Sequence, residues 1–218
     1  MTTSGRRGGA LESDESVAPL PGKPRVRDRI FETACDLFYQ HGIRDVGVDQ
    51  IATEAGTNKM SFYRSFASKD ELIGKYLEKK AAELWQWWDE TVRLHLGDPR
   101  RQILALFEGI AKIVCSSTSR GCALANAALE LAEEDHPGRR VVLAKKREMR
   151  RRFRELAVAT GADNPEELGD ALMLLMEGAY LSRLTLSSQG PAHHVGPIAL
   201  RLLESYTLER GRGPATGG

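Results

Sequence analysis

The side chains best suited to chemistry lie between Val48 and Leu72, in the run VDQIATEAGTNKMSFYRSFASKDEL. Thr57, Asn58, Lys59 and Ser61 cluster there, and Asn, Lys and Ser carry the donors and acceptors that read base edges in a DNA major groove. Tyr63, Arg64 and Lys69 follow closely. Their hydroxyl and cationic ends suit backbone phosphates, which fix position rather than sequence. Lys69 also stands where a helix is expected to begin, and free backbone N–H groups at such a start favour an anion. Met60 and Phe62 cannot both face inward on one helix, which leaves Met60 as an apolar contact for DNA. Arg25, Arg27 and Arg29 enter from the first helix or the arm before it.

These groups need rigid elements to aim them. Ile30, Ala34, Leu37 and Phe38 keep the spacing of a first helix, which Gly42 ends. Ile51, Ala52 and Ala55 supply the inward face of a short second helix, and Gly56 permits the sharp turn after it. Thr57 is the expected cap of a third helix over 58–64. Ser68, followed by Asp70 and Glu71, opens a long fourth helix expected to reach Leu96. Two short helices across an Ala-Gly corner, the second polar and cationic, form a helix-turn-helix reading head.

Behind the head the pattern stays helical, with no convincing strand. Gly97-Asp98-Pro99 separates the fourth helix from a fifth, whose stripe is Ile103, Leu106, Phe107, Ile110 and Val114. Further helices are expected over 122–134, 139–160, 165–186 and 197–209. The fold class is therefore all-α, with about nine helices: an N-terminal three-helix DNA-binding domain and a six-helix ligand-binding and dimerisation domain. The expected divisions are a disordered arm over 1–22, the head over 23–68, the regulatory domain over 69–210 and a disordered tail over 211–218.

Composition excludes several classes. The 31 basic and 30 acidic residues leave a net charge of +1, so DNA affinity must come from placed contacts, not a global field. Arg139–Arg154 holds nine basic residues and one acid, Glu148, and reads as a solvated helix face. The three cysteines, Cys35, Cys115 and Cys122, form no CxxC pair, so neither a disulfide scaffold nor a metal site is expected. The five histidines lack ligand spacing, and no catalytic residue or cofactor is expected. The start carries no signal-like apolar run and no stretch approaches a membrane span, so a cytoplasmic protein with no membrane contact is expected. The competing reading is a helical interaction protein without sequence-specific DNA binding.

Residues 25–72, through IATEAGTNKMSFYRSFASKDEL, closely resemble the TetR family of bacterial transcriptional regulators. The resemblance makes 48–55 the supporting helix and 57–64 the recognition helix. Tyr63, Phe66, Lys69 and Leu72 match the family's YxxFxxKxxL exit. This implies that Tyr63 and Lys69 contact phosphates while Phe66 and Leu72 lock the corner to the long helix. Gly47 departs from the usual Thr or Ser cap, and Asn58-Lys59-Met60 from the commoner Ser-x-Gly, so the operator sequence is its own. More weakly, SRGCALANAALELAEEDHPGR resembles one branch of the family.

The resemblance further implies a homodimer in which the last two long helices of each copy form a four-helix bundle, on a two-fold, palindromic operator. Leu172, Leu175, Met176, Ala179 and Leu184, with Leu202 on the last helix, are the expected interface. An effector pocket is expected among the fourth to eighth helices, lined by Trp85, Trp88, Phe107, Cys115, Cys122, Met173 and Tyr180. Most of these also suit an ordinary core. Their scarcity of polar groups predicts a small apolar or aromatic ligand that releases a repressor by shifting the fourth helix.

Overall fold

A computed structural model describes residues 24–133 and 135–207. Among these residues all regular structure is helical: α1 Val26–His41, α2 Val48–Glu54, α3 Lys59–Ser65, α4 Lys69–Arg93, α5 Pro99–Cys115, α6 Ala123–Glu130, α7 Pro137–Ala159, α8 Pro165–Leu186 and α9 Val195–Thr207. The expected arm over 1–22, the tail over 211–218, and the end of the last helix at Glu209 lie outside the described residues. None of the described helices is long and apolar enough to cross a membrane.

Local chemistry sets these bounds. Gly42 ends α1 at φ 93°, and Gly56 turns the α2–α3 corner at φ 64°, a region where a side chain is strained. Ser68 caps α4 by accepting from the Glu71 N–H at 3.0 Å, while Glu71 Oε2 accepts from the Ala67 N–H at 2.8 Å. Asp98 and Asn164 cap α5 and α8 in the same way, each with proline in the first turn.

Several bounds differ from the sequence reading. α3 is capped by Asn58, whose Oδ1 accepts from the Ser61 N–H at 3.0 Å, so Thr57 is not the cap. α4 ends at Arg93 rather than Leu96, because the Val92 carbonyl takes the Gln102 side chain at 3.0 Å and α5 begins directly beyond. α6 stops at Glu130, short of the expected 134. α9 starts two residues early, at Val195, because a 3-10 turn over Pro191–His194 delivers Ala192 and Val195 into the core.

Two apolar cores hold the chain. One joins Ile30, Phe38, Ile51, Phe62, Phe66, Leu72 and Tyr76 to Leu124, Ala127 and Leu131 of the α6 region and Val142 of α7. The other gathers Trp88, Phe107, Ile110, Phe153, Leu172, Met176 and Leu203. α4 contributes to both, through Leu72–Leu77 at one end and Trp88 at the other.

Hydrogen bonds reinforce the link from the front helices to α6. Tyr39 of α1 accepts from the Arg120 N–H at 2.9 Å and donates to the Gly121 carbonyl at 3.5 Å. At the other end of α6, Glu130 Oε2 accepts from the Arg44 N–H at 2.8 Å. Both ends of a helix of eight residues are therefore tied to the front of the molecule.

Candidate nucleic-acid interface

α3 holds its outward face by anchoring the inward one. Phe62 is fully buried, with its ring 5.3 Å from Tyr63 and 5.9 Å from Phe66 between centroids. Met60, two residues away, is 64% exposed and Tyr63 52% exposed. Asn58, Lys59 and Arg64 are exposed beside them, and Ser61 is half-buried. The residues expected to read and grip DNA thus share one solvent-facing surface. Thr57 stands at its edge, half-buried, with its N–H donating to the Ala52 carbonyl at 2.9 Å.

Electrostatics and hydrogen bonds limit what each group can offer. Because Asn58 Oδ1 is engaged as the helix cap, the amide N–H₂ is its remaining group for a base edge. Lys59 Nζ lies 3.0 Å from Asp49 Oδ2 of α2, and this carboxylate holds the ammonium above its ordinary range. Both partners are well exposed, so the pair contributes little stability. It does place an acid on the reading surface, a feature the sequence reading did not single out. The acid lies ten residues from Lys59, too far apart for helical spacing to expose.

The flanking cations are more firmly held. Lys69, the first residue of α4, sits 6.0 Å from the Phe38 ring, and partial burial lowers its ammonium from the ordinary range. Arg27 stacks over Phe66 at 5.2 Å, and Arg29 Nε donates to the Ala55 carbonyl at 3.2 Å. Arg29 is thus committed to bracing the corner, while Arg25 stands exposed ahead of α1. α2 begins at Gly47 with no side-chain cap, as the departure at that position implies.

The basic run on α7 is not a free cationic patch. Lys145 meets Glu78 at 2.9 Å, Arg154 meets Asp170 at 2.8 Å, and Arg152 meets Glu148 at 2.8 Å. Arg151 and Arg152 together hold the Glu148 carboxyl at about 2. The acids come from α4, α7 and α8, so neighbouring helices neutralise the run.

The rear residues separate by which side of their helix they occupy. Of the expected pocket residues, Cys122, Met173 and Tyr180 line one cavity of about 520 Å³ between α6, α7 and α8. Phe107 is instead packed in the rear core against Phe153, and Trp88 packs on the same ring while bordering a separate cavity with Val92 and Arg152. Trp85 lies under the Arg152 guanidinium at 4.3 Å, and Cys115 is exposed at the end of α5. Trp87 packs on Gly109 and lines a second cavity of about 330 Å³.

The expected interface residues divide in the same way. Leu172, Met176 and Ala179 are buried in their own core, Leu175 and Leu202 are half-buried, and Leu184 is exposed. The uncovered apolar ridge of α8 and α9 is Leu174, 72% exposed, with Leu181, Leu184 and Ile198. α8 is apolar all round, so spacing alone could not choose its outer face.

Comparison with known proteins places this geometry. The family model described as "Bacterial regulatory proteins, tetR family" matches residues 30–75, which span most of α1 through the first turns of α4. The HTH-type transcriptional repressor SCO4008 of Streptomyces coelicolor is 34% identical over 96 residues, covering 39% of this chain and 50% of that protein. The HTH-type transcriptional repressor DhaR of a Mycobacterium species is 27% identical over 107 residues, covering 49% and 52%. The chain thus spans about half the length of these curated relatives. The crystal structure of SCO4454, a TetR-family transcriptional regulator from Streptomyces coelicolor, superposes with a TM-score of 0.74 at 28% identity, covering 84% of this chain and 94% of that one. A tetr-transcriptional regulator structure from Streptomyces avermitilis gives 0.73, also at 28% identity, with 84% and 98% covered. The matched segment holds the capped α3 and its braced flanks, and the whole helical order recurs, so residues 30–75 are similar to the DNA-binding segment of the TetR family and the chain shares the fold of TetR-family regulators.

Proposed function

We propose that the protein is a homodimeric, DNA-binding transcriptional repressor that leaves a palindromic operator when a small, largely apolar ligand occupies its rear domain. The observation that carries this reading is α3, a short helix whose buried Phe62 fixes an outer face of Asn58, Lys59, Met60 and Tyr63. A lone helix of this size reads only a few base pairs, so two copies are required for a specific site. The ridge of Leu174, Leu181 and Ile198 supports pairing through α8 and α9. The two cavities beside Tyr180 support a ligand, and α4, shared by both cores, supports its coupling to the head. Release requires the ligand to bind the DNA-free spacing of the two heads better than the bound one.

The deciding experiment is selection of genomic fragments by the purified protein, followed by footprinting. Two protected half-sites about one helical turn apart are expected. Folded, dimeric protein that retains no duplex at low salt would overturn the reading.

Two substitutions then separate roles on the face. Asn58→Asp keeps an oxygen to cap α3 but turns an anion toward the groove. Its melting temperature should stay near wild type while operator affinity falls by at least about ten-fold. Asp49→Asn removes an acid from the reading surface and frees Lys59 for phosphate. It should tighten binding and steepen the dependence of log affinity on log salt by about 0.9. An unchanged slope would show that Lys59 meets no phosphate.

A further inference from the structure

Tyr39 belongs to α1, yet its side chain reaches the rear half of the molecule. It lines the inner cavity of about 330 Å³, whose other walls include Leu84 and Trp87 of α4, Met149 of α7 and Met176 of α8. It also lines an outer cleft of about 380 Å³, which is rimmed by His41, Arg44, Asp45 and Glu130. Tyr39 and Ala123 are common to both, so the phenol ring stands in the wall between cleft and cavity.

The hydroxyl of this ring is only partly committed. As an acceptor it is well placed, 2.9 Å from the Arg120 nitrogen, but the Gly121 carbonyl that takes its proton lies 3.5 Å away. An O–H···O bond is usually about 2.7–2.8 Å long, so this proton is weakly held and can be turned to a closer acceptor. Arg120 lines the outer cleft and Gly121 the inner cavity, which sets the hydroxyl at the boundary. Lys80 covers the ring, its ammonium 5.5 Å from the centroid and paired with Glu83 at 2.9 Å. That pair balances the charge at the cavity wall. The remaining walls are largely Leu, Ile, Met and Trp, which disfavours a charged occupant.

We propose that the inner cavity takes an uncharged, mainly apolar molecule carrying a carbonyl acceptor, and that Tyr39 is the contact contributed to it by the DNA-binding head. This rests on the effector reading above and names both the class of ligand and the head residue that senses it. The ligand carbonyl accepts the Tyr39 proton in place of Gly121, and no covalent bond is made or broken. The exchange loosens the tie between α1 and the residues that precede α6, while Glu130 keeps its bond to the Arg44 N–H. A ligand that gains the Tyr39 bond binds the untied head better than the tied one, so occupancy favours the untied arrangement. Arg27 and Arg29 lie on the same helix as Tyr39, so the change reaches the head without passing through α4.

The test uses the full chain and prodan, an uncharged naphthalene ketone whose emission moves to the red when its carbonyl accepts a hydrogen bond. Prodan is expected to bind and to quench tryptophan emission, because Trp87 lines the cavity. Tyr39→Phe keeps the ring and removes the hydroxyl. Prodan affinity should then fall by about five-fold, and the emission of bound prodan should move to the blue. Ile113→Trp, at the 38% exposed edge of the inner cavity, should block uptake. Met173→Trp, in the wall of the 520 Å³ cavity instead, should leave uptake intact. Wild type that takes up no prodan, uptake blocked by Met173→Trp rather than Ile113→Trp, or affinity and emission indifferent to Tyr39→Phe would overturn the proposal. None of these readings requires DNA, so their failure is separable from failure of the repressor reading. On a footprinted operator, prodan should weaken wild-type binding by at least about five-fold, and Tyr39→Phe should start weaker and respond less. An equal response from the two proteins would overturn the sensing role.

Discussion

Replacing Phe62 by Ala is expected to remove DNA binding and to unfold the front of the molecule while the rear core stays folded. Phe62 is fully buried, and its ring contacts Tyr63 and Phe66, so truncation empties the centre of a small core. Such a loss costs about 3–5 kcal/mol, a large part of the roughly 5–15 kcal/mol that stabilises a whole domain. The rear core of Trp88, Phe107 and Phe153 makes no use of this ring and should survive. Hydrogen exchange is the measurement: amides of α1, α2 and α3 should lose protection, and those of α5 and α8 should keep it. Because Leu124, Ala127 and Leu131 pack into the same core, α6 should lose protection too. If α6 stayed protected, the front core would end before it, and the coupling argued above would lose its basis.

The second large effect comes from adding one methyl group. At Gly169 a Cβ would lie 2.7 Å from Arg154 Cα and 2.8 Å from its backbone nitrogen. The obstacle is the backbone of α7, which cannot rotate away as a side chain would. Gly169→Ala is therefore expected to force α8 off α7 at a cost of about 3 kcal/mol. The displacement would also disturb Asp170, which accepts from Arg150 Nε at 2.7 Å and Arg154 Nε at 2.9 Å. Those two guanidiniums hold the Asp170 carboxyl well below the usual carboxylate range. A lower melting temperature with a weaker dimer is expected, by calorimetry and sedimentation. An unchanged melting temperature would mean that the two helices separate freely, contrary to their close approach.

Much of this architecture was legible because its signals are local. The bounds of α8, Pro165–Leu186, follow from proline in the first turn and the loop-forming residues beyond. Met60 outward and Phe62 inward follow from the helical period. Where two neighbours could play one part, locality failed: Thr57 and Asn58 can both cap a helix, and only the register of Ser61 selects Asn58. The rear face was less legible for a different reason. Aromatic and aliphatic residues report that a helix is buried, not which side meets a void, another helix or a second copy. Phe107 and Met173 look equivalent in sequence, yet one fills the core and the other lines a cavity. Long-range pairs such as Tyr39 with Arg120, or Lys146 with Cys122, leave no periodic trace at all.

The membership of α4 in both cores makes it a lever with a defined gain. Lys69 stands about 28 Å along the helix axis from Trp88, so a tilt of about 5° about Trp88 swings the Lys69 end through about 2.5 Å. In the proposed two-fold pair each copy would swing alike, and the gap between heads would change by about 5 Å against a DNA repeat of about 34 Å. Under the proposed release, a rear rearrangement no larger than one misplaced side chain would be enough to put the two heads out of step with the groove.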